Sequence, residues 1–163
     1  MKSRIYHTES EEETIALGEK LGAELPATAV VLLIGQLGAG KTTLAKGIVK
    51  GLGAAPPEEV SSPTFTLIHE YSPSVYHIDL YRLDTVAQVA TLGLEEIFDR
   101  RAVVLIEWGE RFPELMPEER IEIRLLTTGE NSRELEVLEL NEYNSVSPPP
   151  CKESARDKAR DKE

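Results

Sequence analysis

Apolar and polar positions alternate along this chain in two rhythms. Residues 29–34 (AVVLLI) and 102–106 (AVVLI) are unbroken aliphatic runs, too short for helices, which predicts strands buried on both faces. Residues 120–126 and 134–140 alternate apolar and polar positions across the turn signal TGENS, predicting a closing hairpin. Residues 64–71 and 75–80 predict another hairpin through Ser72-Pro73-Ser74, and residues 4–7 a short strand. Helical spacing appears in three places. Ser10-Glu11-Glu12-Glu13 has the form of a capping box and opens a helix to about Leu25, with Ile15, Leu17 and Leu21 as inward positions. A second helix runs from about Lys41 to Leu52, and a third pattern over 85–98 is interrupted near Gly93. Strands alternating with helices and ending in a hairpin predict an α/β fold in three layers, a mixed central sheet flanked by helices.

Composition narrows the class. At 163 residues the chain is long enough for one domain with a real core. No apolar run approaches the ~20 residues needed to span a bilayer, and the polar, acidic N-terminus has no signal-peptide core. A cytoplasmic protein without a membrane partner is expected. The single cysteine, Cys151, excludes an intrachain disulfide and a multi-cysteine zinc site. Residues 145–163 (SVSPPPCKESARDKARDKE) are Pro-rich, then densely charged, and poor in large apolar groups; a disordered tail is expected there, with residues 1–144 forming the domain. The tail carries five basic and four acidic residues, leaving 13 basic and 25 acidic in the domain. Such an acidic surface is ill suited to gripping a phosphate backbone. Contact with nucleic acid is expected only through a partner or a small local patch.

The chemistry concentrates after the first aliphatic run. Gly35-Gln36-Leu37-Gly38-Ala39-Gly40-Lys41-Thr42 fits G-x-x-x-x-G-K-[ST]. Glycines let backbone N–H groups turn inward around phosphate oxygens, and the following helix aims its positive end at the same anion. Lys41 would reach the outer phosphates, and the Thr42 hydroxyl would meet Mg²⁺. An accidental match in a chain this long is on the order of 1 in 100. The strand before it and the helix after it are the context the mechanism requires.

A phosphate loop of this kind works with an acid at the end of a neighbouring strand. Two runs supply one: Val103-Val104-Leu105-Ile106-Glu107 and Val75-Tyr76-His77-Ile78-Asp79. Both would end at the carboxyl edge of the sheet, where open α/β folds bind ligands. Ser61-Ser62-Pro63-Thr64-Phe65-Thr66 offers hydroxyls at Ser62, Thr64 and Thr66 that could order around a γ-phosphate, or simply form a turn. Arg82, Arg100, Arg101, Arg111 and Arg124 are possible transition-state cations. His7, His69 and His77 show no metal spacing and read as structural. Trp108 either stacks on a base or partner or packs in the core.

Four motifs in this order, GQLGAGKTT (35–43), SPTFT (62–66), DLYRL (79–83) and EWGE (107–110), resemble the TsaE family (also called YjeE or YdiB) over roughly residues 5–140. The resemblance implies a P-loop NTPase fold and an ATPase of bacterial tRNA threonylcarbamoyladenosine synthesis. That ATPase acts with TsaD and TsaB, which perform the transfer onto the adenosine beside the anticodon, and it supports their repeated turnover. It reaches tRNA only through that complex. By motif, Gly35, Gly38, Ala39, Gly40, Lys41, Thr42 and Thr43 would bind ATP phosphates, and Thr42 and Glu107 would hold Mg²⁺. Thr64 would lie on a switch-like loop, Asp79 would be an essential acid near the γ-phosphate, and Trp108 would sit beside the site. Lys41, Thr64, Asp79 and Glu107 would carry the catalysis, slow until partners complete it. Gln36 stands where the family often has Asp. A small-molecule kinase using the same loop and a non-hydrolysing ATP-sensing adaptor are the alternatives. No clear Arg-rich lid supports the kinase, and no N-K-x-D motif supports a GTPase.

Overall fold

Seven strands form one mixed sheet: β1 (Lys2–Thr8), β2 (Ala29–Ile34), β3 (Ile68–Ser72), β4 (Val75–Asp79), β5 (Val103–Glu107), β6 (Arg120–Thr127) and β7 (Arg133–Leu140). Their spatial order is β1-β7-β6-β2-β5-β4-β3. Strands β6, β2, β5 and β4 run parallel. β3 and β7 run against their neighbours, and β1 runs against β7. Among the described residues four α-helices cover the sheet: α1 (Glu11–Glu24), α2 (Lys41–Gly51), α3 (Val86–Ala90) and α4 (Leu94–Phe98). This computed structural model describes residues 2–140, so the tail predicted to be disordered, with Cys151, lies outside the described residues.

The two aliphatic runs form central strands because both of their faces are covered. Val31 and Leu33 of β2, with Val103 and Leu105 of β5, pack under α1 and α2 against Leu21, Leu44 and Ile48. Val30, Leu32, Val104 and Ile106 face the other side, against Val89, Leu94 and Ile97 of α3 and α4, with Phe112 and Met116. A three-layer α/β architecture results, as the alternation of elements predicts.

Three local features depart from the expected pattern. Strand β3 begins at Ile68 rather than Thr64, because Pro63 opens a turn closed by Leu67 N–H donating to the Pro63 carbonyl at 2.7 Å, with Leu67 left-handed at φ 72°. The inward face of α1 is Thr14, Gly18, Leu21 and Gly22, while Ile15 and Leu17 are only half-buried. Glycine takes those positions because α2 approaches so closely: a Cβ on Gly18 would stand 2.6 Å from the Leu44 carbonyl oxygen. Gly22, Gly47 and Gly51 meet opposing backbone in the same way. Finally, the capping box is shifted by one residue. Ser10 Oγ accepts from Glu13 N–H, but the Glu13 carboxylate takes the N–H of Glu9 instead of Ser10.

Candidate functional site

Strand β2 ends at the phosphate-loop sequence, and the loop folds as its glycines dictate. Gly38 and Gly40 are left-handed at φ 81° and 103°, a region that a side chain would strain. Ala39 N–H donates to the Gln36 carbonyl at 3.0 Å, closing a turn. Helix α2 then starts at Lys41 with no side chain capping it. The first helical bond at this end is Leu44 N–H to the Gly40 carbonyl, so the N–H groups of Gly40 to Thr43 are left for an anion. Lys41 is buried, donates to the Gly35 carbonyl at 2.7 Å, and lies 3.5 Å from the centre of the Trp108 ring. Burial pushes its ammonium below the usual lysine range; Glu107, Glu110 and Asp79, in that order, oppose the shift.

Two carboxylates face this loop. Asp79 ends β4 and Glu107 ends β5, and they are register partners on neighbouring parallel strands, both almost fully buried. Asp79 Oδ2 accepts from Ser62 Oγ at 2.5 Å and from Thr64 Oγ1 at 3.1 Å; its Oδ1 accepts from Tyr81 N–H at 2.8 Å. Glu107 Oε2 lies 2.8 Å from His77 Nε2 and accepts from Thr42 Oγ1 at 3.4 Å. The Thr42 hydroxyl and the Glu107 carboxylate are hard oxygen donors side by side. Among the described residues no cluster of three or more His, Cys, Asp or Glu side chains is placed to hold a metal. Any cation here would take its other oxygens from water and a phosphorylated ligand, which is the habit of Mg²⁺.

The cleft between these groups holds about 520 Å³. Gly38, Gly40, Lys41, Thr42, Thr43, Ser62, Thr64, Asp79, Glu107 and Trp108 line it, so the structure gathers most of the sequence-predicted site residues around one space. Of the other two, Ala39 is buried in the loop turn, and Gly35 contributes the carbonyl that holds Lys41. Trp108 is left-handed at φ 69° and packs against Tyr81 with ring centres 5.2 Å apart. Thr66 is exposed and does not line the cleft. A cleft of similar size at the other edge of the sheet, between Leu21, Phe98 and Ile121, lies away from the phosphate loop, and its Arg4 pairs with Glu24 and Glu139.

Of the five arginines singled out by type, four are occupied elsewhere, and Arg101 is exposed and does not line the cleft. Arg111 donates to the Tyr81 and Leu83 carbonyls, Arg100 to the Tyr76 hydroxyl, and Arg124 to Glu122, while Arg82 stacks on Phe65. The arginine that touches the phosphate loop is Arg133 of β7, which donates to the Ala39 carbonyl at 2.8 Å and the Gly38 carbonyl at 3.3 Å. No local motif marks it, because its partners are 94 and 95 positions away. Glu11, Thr14, Glu130 and Asn131 extend the cleft beyond Thr43 and were equally unmarked. Glu110 places Oε1 in a buried spot with no hydrogen-bond partner among the described residues. Burial pushes its carboxyl above the usual range, against the pull of Lys41 and Arg111.

Comparison with known proteins gives a consistent result. The sequence profile of the family described as "Threonylcarbamoyl adenosine biosynthesis protein TsaE" matches residues 8–135. The chain is 40% identical over 138 residues to the tRNA threonylcarbamoyladenosine biosynthesis protein TsaE of Bacillus subtilis, covering 83% of this chain and 85% of that protein. It is 44% identical over 137 residues to the protein of the same name from a Nostoc species, covering 80% and 82%. The crystal structure of YdiB from Bacillus subtilis superposes with a TM-score of 0.70 at 33% identity, covering 88% of this chain and 89% of that one. None of the described helices is long and apolar enough to cross a membrane.

Proposed function

The chain belongs to the TsaE family, whose role lies in tRNA threonylcarbamoyladenosine biosynthesis, and we propose that within that system it is a Mg²⁺-dependent ATPase. It would act with TsaD and TsaB, sustaining their repeated turnover without performing the transfer itself. The observation that carries this reading is the pair Asp79 and Glu107, side by side at the carboxyl edge of the sheet and facing the free N-terminus of α2.

In this reading the backbone N–H groups of Gly38 and of Gly40 to Thr43 cradle the phosphates of ATP, while that of Ala39 closes the loop turn. Lys41 leaves the Gly35 carbonyl for the outer phosphates, a short swing because its ammonium already lies between the loop and Trp108. Thr42 and Glu107 would hold Mg²⁺, which when bound neutralises charge on the β- and γ-phosphoryl oxygens. Asp79 is held by three donors and orients the attacking water in line with the γ-phosphate. Two of those donors, Ser62 and Thr64, belong to the loop before β3, so the loop's position and the acid's position are one variable. A partner that moves the loop would change the rate, so turnover by the isolated protein would be slow. Arg133 keeps the Gly38 and Ala39 carbonyls turned away from the phosphates.

The test is multiple-turnover tRNA threonylcarbamoylation by TsaD and TsaB, with this protein or its Lys41→Ala variant added. Only the wild type should sustain turnover, and Lys41→Ala should hydrolyse no ATP. Hydrolysis by the wild type with no effect on modification would remove the tRNA role and turn attention to a kinase acceptor. Normal hydrolysis by Lys41→Ala would remove the phosphate-loop assignment.

A further inference from the structure

His77 is fully buried in the middle of the sheet. An imidazole in such a place is costly unless its nitrogens find partners. Sheet register explains the partner it has. His77 is paired with Leu105 on β5, so Glu107 is its diagonal neighbour on the same face, within reach of a long side chain. Nε2 meets Glu107 Oε2 at 2.8 Å. Glu107 as a carboxylate can only accept, so the shared proton belongs to His77 Nε2. Nδ1 then looks toward the Tyr71 hydroxyl at 3.5 Å, and the same hydroxyl lies 3.5 Å from the Ser61 carbonyl. His69 Nδ1 also lies 3.4 Å from the phenol. The phenol's one proton, donated to His77 Nδ1, fixes the tautomer that holds Glu107, and His69 Nδ1 can then donate to the phenol oxygen.

Oxygen usage at Glu107 gives this contact a purpose. Both of the acid's hydrogen bonds, from His77 and Thr42, fall on Oε2, and Oε1 accepts none among the described residues. Asp79 stands directly opposite in register, a like charge that would push a loosely held Glu107 aside. We propose that His77 is a positioning residue that holds Glu107 by Oε2 and leaves Oε1 unengaged for the cation, its own tautomer set by Tyr71. The proposal rests on the Mg²⁺·ATP reading above. It gives each carboxylate a different set of holders: Asp79 is held by Ser62 and Thr64 of the surface loop, Glu107 by His77 of the sheet interior.

The experiment uses the chain's single tryptophan, Trp108, which adjoins Glu107 and reports on the site by its fluorescence. Binding of a non-hydrolysable ATP analogue is measured in EDTA and then across a Mg²⁺ titration. His77→Leu should raise the Mg²⁺ half-saturation about tenfold, the lower end of the loss usual for an outer-shell partner of a metal ligand. Affinity for the analogue in EDTA should stay within about twofold, because His77 touches no phosphate-binding group. His77→Gln, whose amide can donate to Glu107, should recover most of the loss. Tyr71→Phe should shift the half-saturation in the same direction by a smaller factor. Should His77→Leu fail to fold, His77→Asn, polar but too short to reach Glu107, takes its place under the same criterion. An unchanged Mg²⁺ requirement, an equal loss in EDTA, or a His77→Gln as impaired as His77→Leu would overturn the proposal. Glu107→Gln separates the two levels. If it too leaves the Mg²⁺ requirement unchanged, the Mg²⁺·ATP reading fails and takes this inference with it. If it shifts the requirement while His77→Leu does not, only the positioning role falls.

Discussion

Asp79 and Glu107 occupy equivalent places, the last residues of adjacent parallel strands, in register and equally buried. Their surroundings differ in kind. Asp79 has both oxygens engaged, by two hydroxyls from a surface loop and one backbone N–H. Glu107 has one oxygen engaged, by a buried imidazole and the hydroxyl that opens α2. A carboxylate held by three donors is fixed in direction and keeps a lone pair to orient something that donates to it, such as water. A carboxylate with one oxygen unengaged is ready to ligate. Equivalent positions in a sheet therefore do not imply equivalent chemistry; the neighbouring elements assign the roles.

The largest test of this division is Asp79→Asn. It should lower the rate of ATP hydrolysis by about 10²–10⁴, the range of a lost acid–base or water-orienting group, and leave the Mg²⁺ requirement within about twofold. Steady-state phosphate release against Mg²⁺ concentration measures both quantities at once, and a large Mg²⁺ shift in this variant would reverse the roles of the two acids. Glu107→Gln comes next. Its Mg²⁺ half-saturation should rise by at least the 10–100-fold, roughly, that loss of an outer-shell partner brings, with part of the rate restored at high Mg²⁺. Ser62→Ala removes one of Asp79's three donors. A charged hydrogen bond of this kind is worth about 1.5–3 kcal/mol, so a chemical denaturation midpoint should fall measurably and the hydrolytic rate by about tenfold. A denaturation curve matching the wild type would mean that Thr64 and Tyr81 suffice.

The smallest effect concerns the third acid, Glu110, which has neither arrangement. Burial holds its carboxyl above the usual range. The folded protein then binds more protons than the unfolded chain in the window above that range, so stability falls as pH rises through it. Glu110→Gln removes that component. The melting temperature of the variant relative to wild type should therefore climb as pH rises from the ordinary glutamate value toward neutrality. A difference independent of pH would place Glu110 in a solvated setting.

Much of this was legible in the sequence because it is local. AVVLLI followed by GQLGAGKTT states a strand, a turn and a helix in consecutive residues, and the structure places them at 29–34, 35–40 and 41–51. The interruption at Gly93 is equally local, a left-handed residue between α3 and α4. The strand-end pattern named the two acids, and only the family resemblance told them apart, since the physical difference lies in Ser62, Thr64, His77 and Thr42, brought together only by the fold. Arg133 was invisible for the same reason. So was the glycine face of α1, where apolar spacing pointed to Ile15 and Leu17. Burial there is decided by how near another backbone comes, which no hydrophobic pattern within one helix records.

That glycine contact bears on how the protein transmits force. Helix α2 begins at the phosphate loop, and α1 lies against it with main chains touching at Gly18, Gly22, Gly47 and Gly51. Ordinary helix pairs are separated by a layer of side chains that can change rotamer and absorb a displacement. Here that layer is missing, so the two helices form a single stiff bar. A load applied to the outer surface of α1 would reach the phosphate loop undamped.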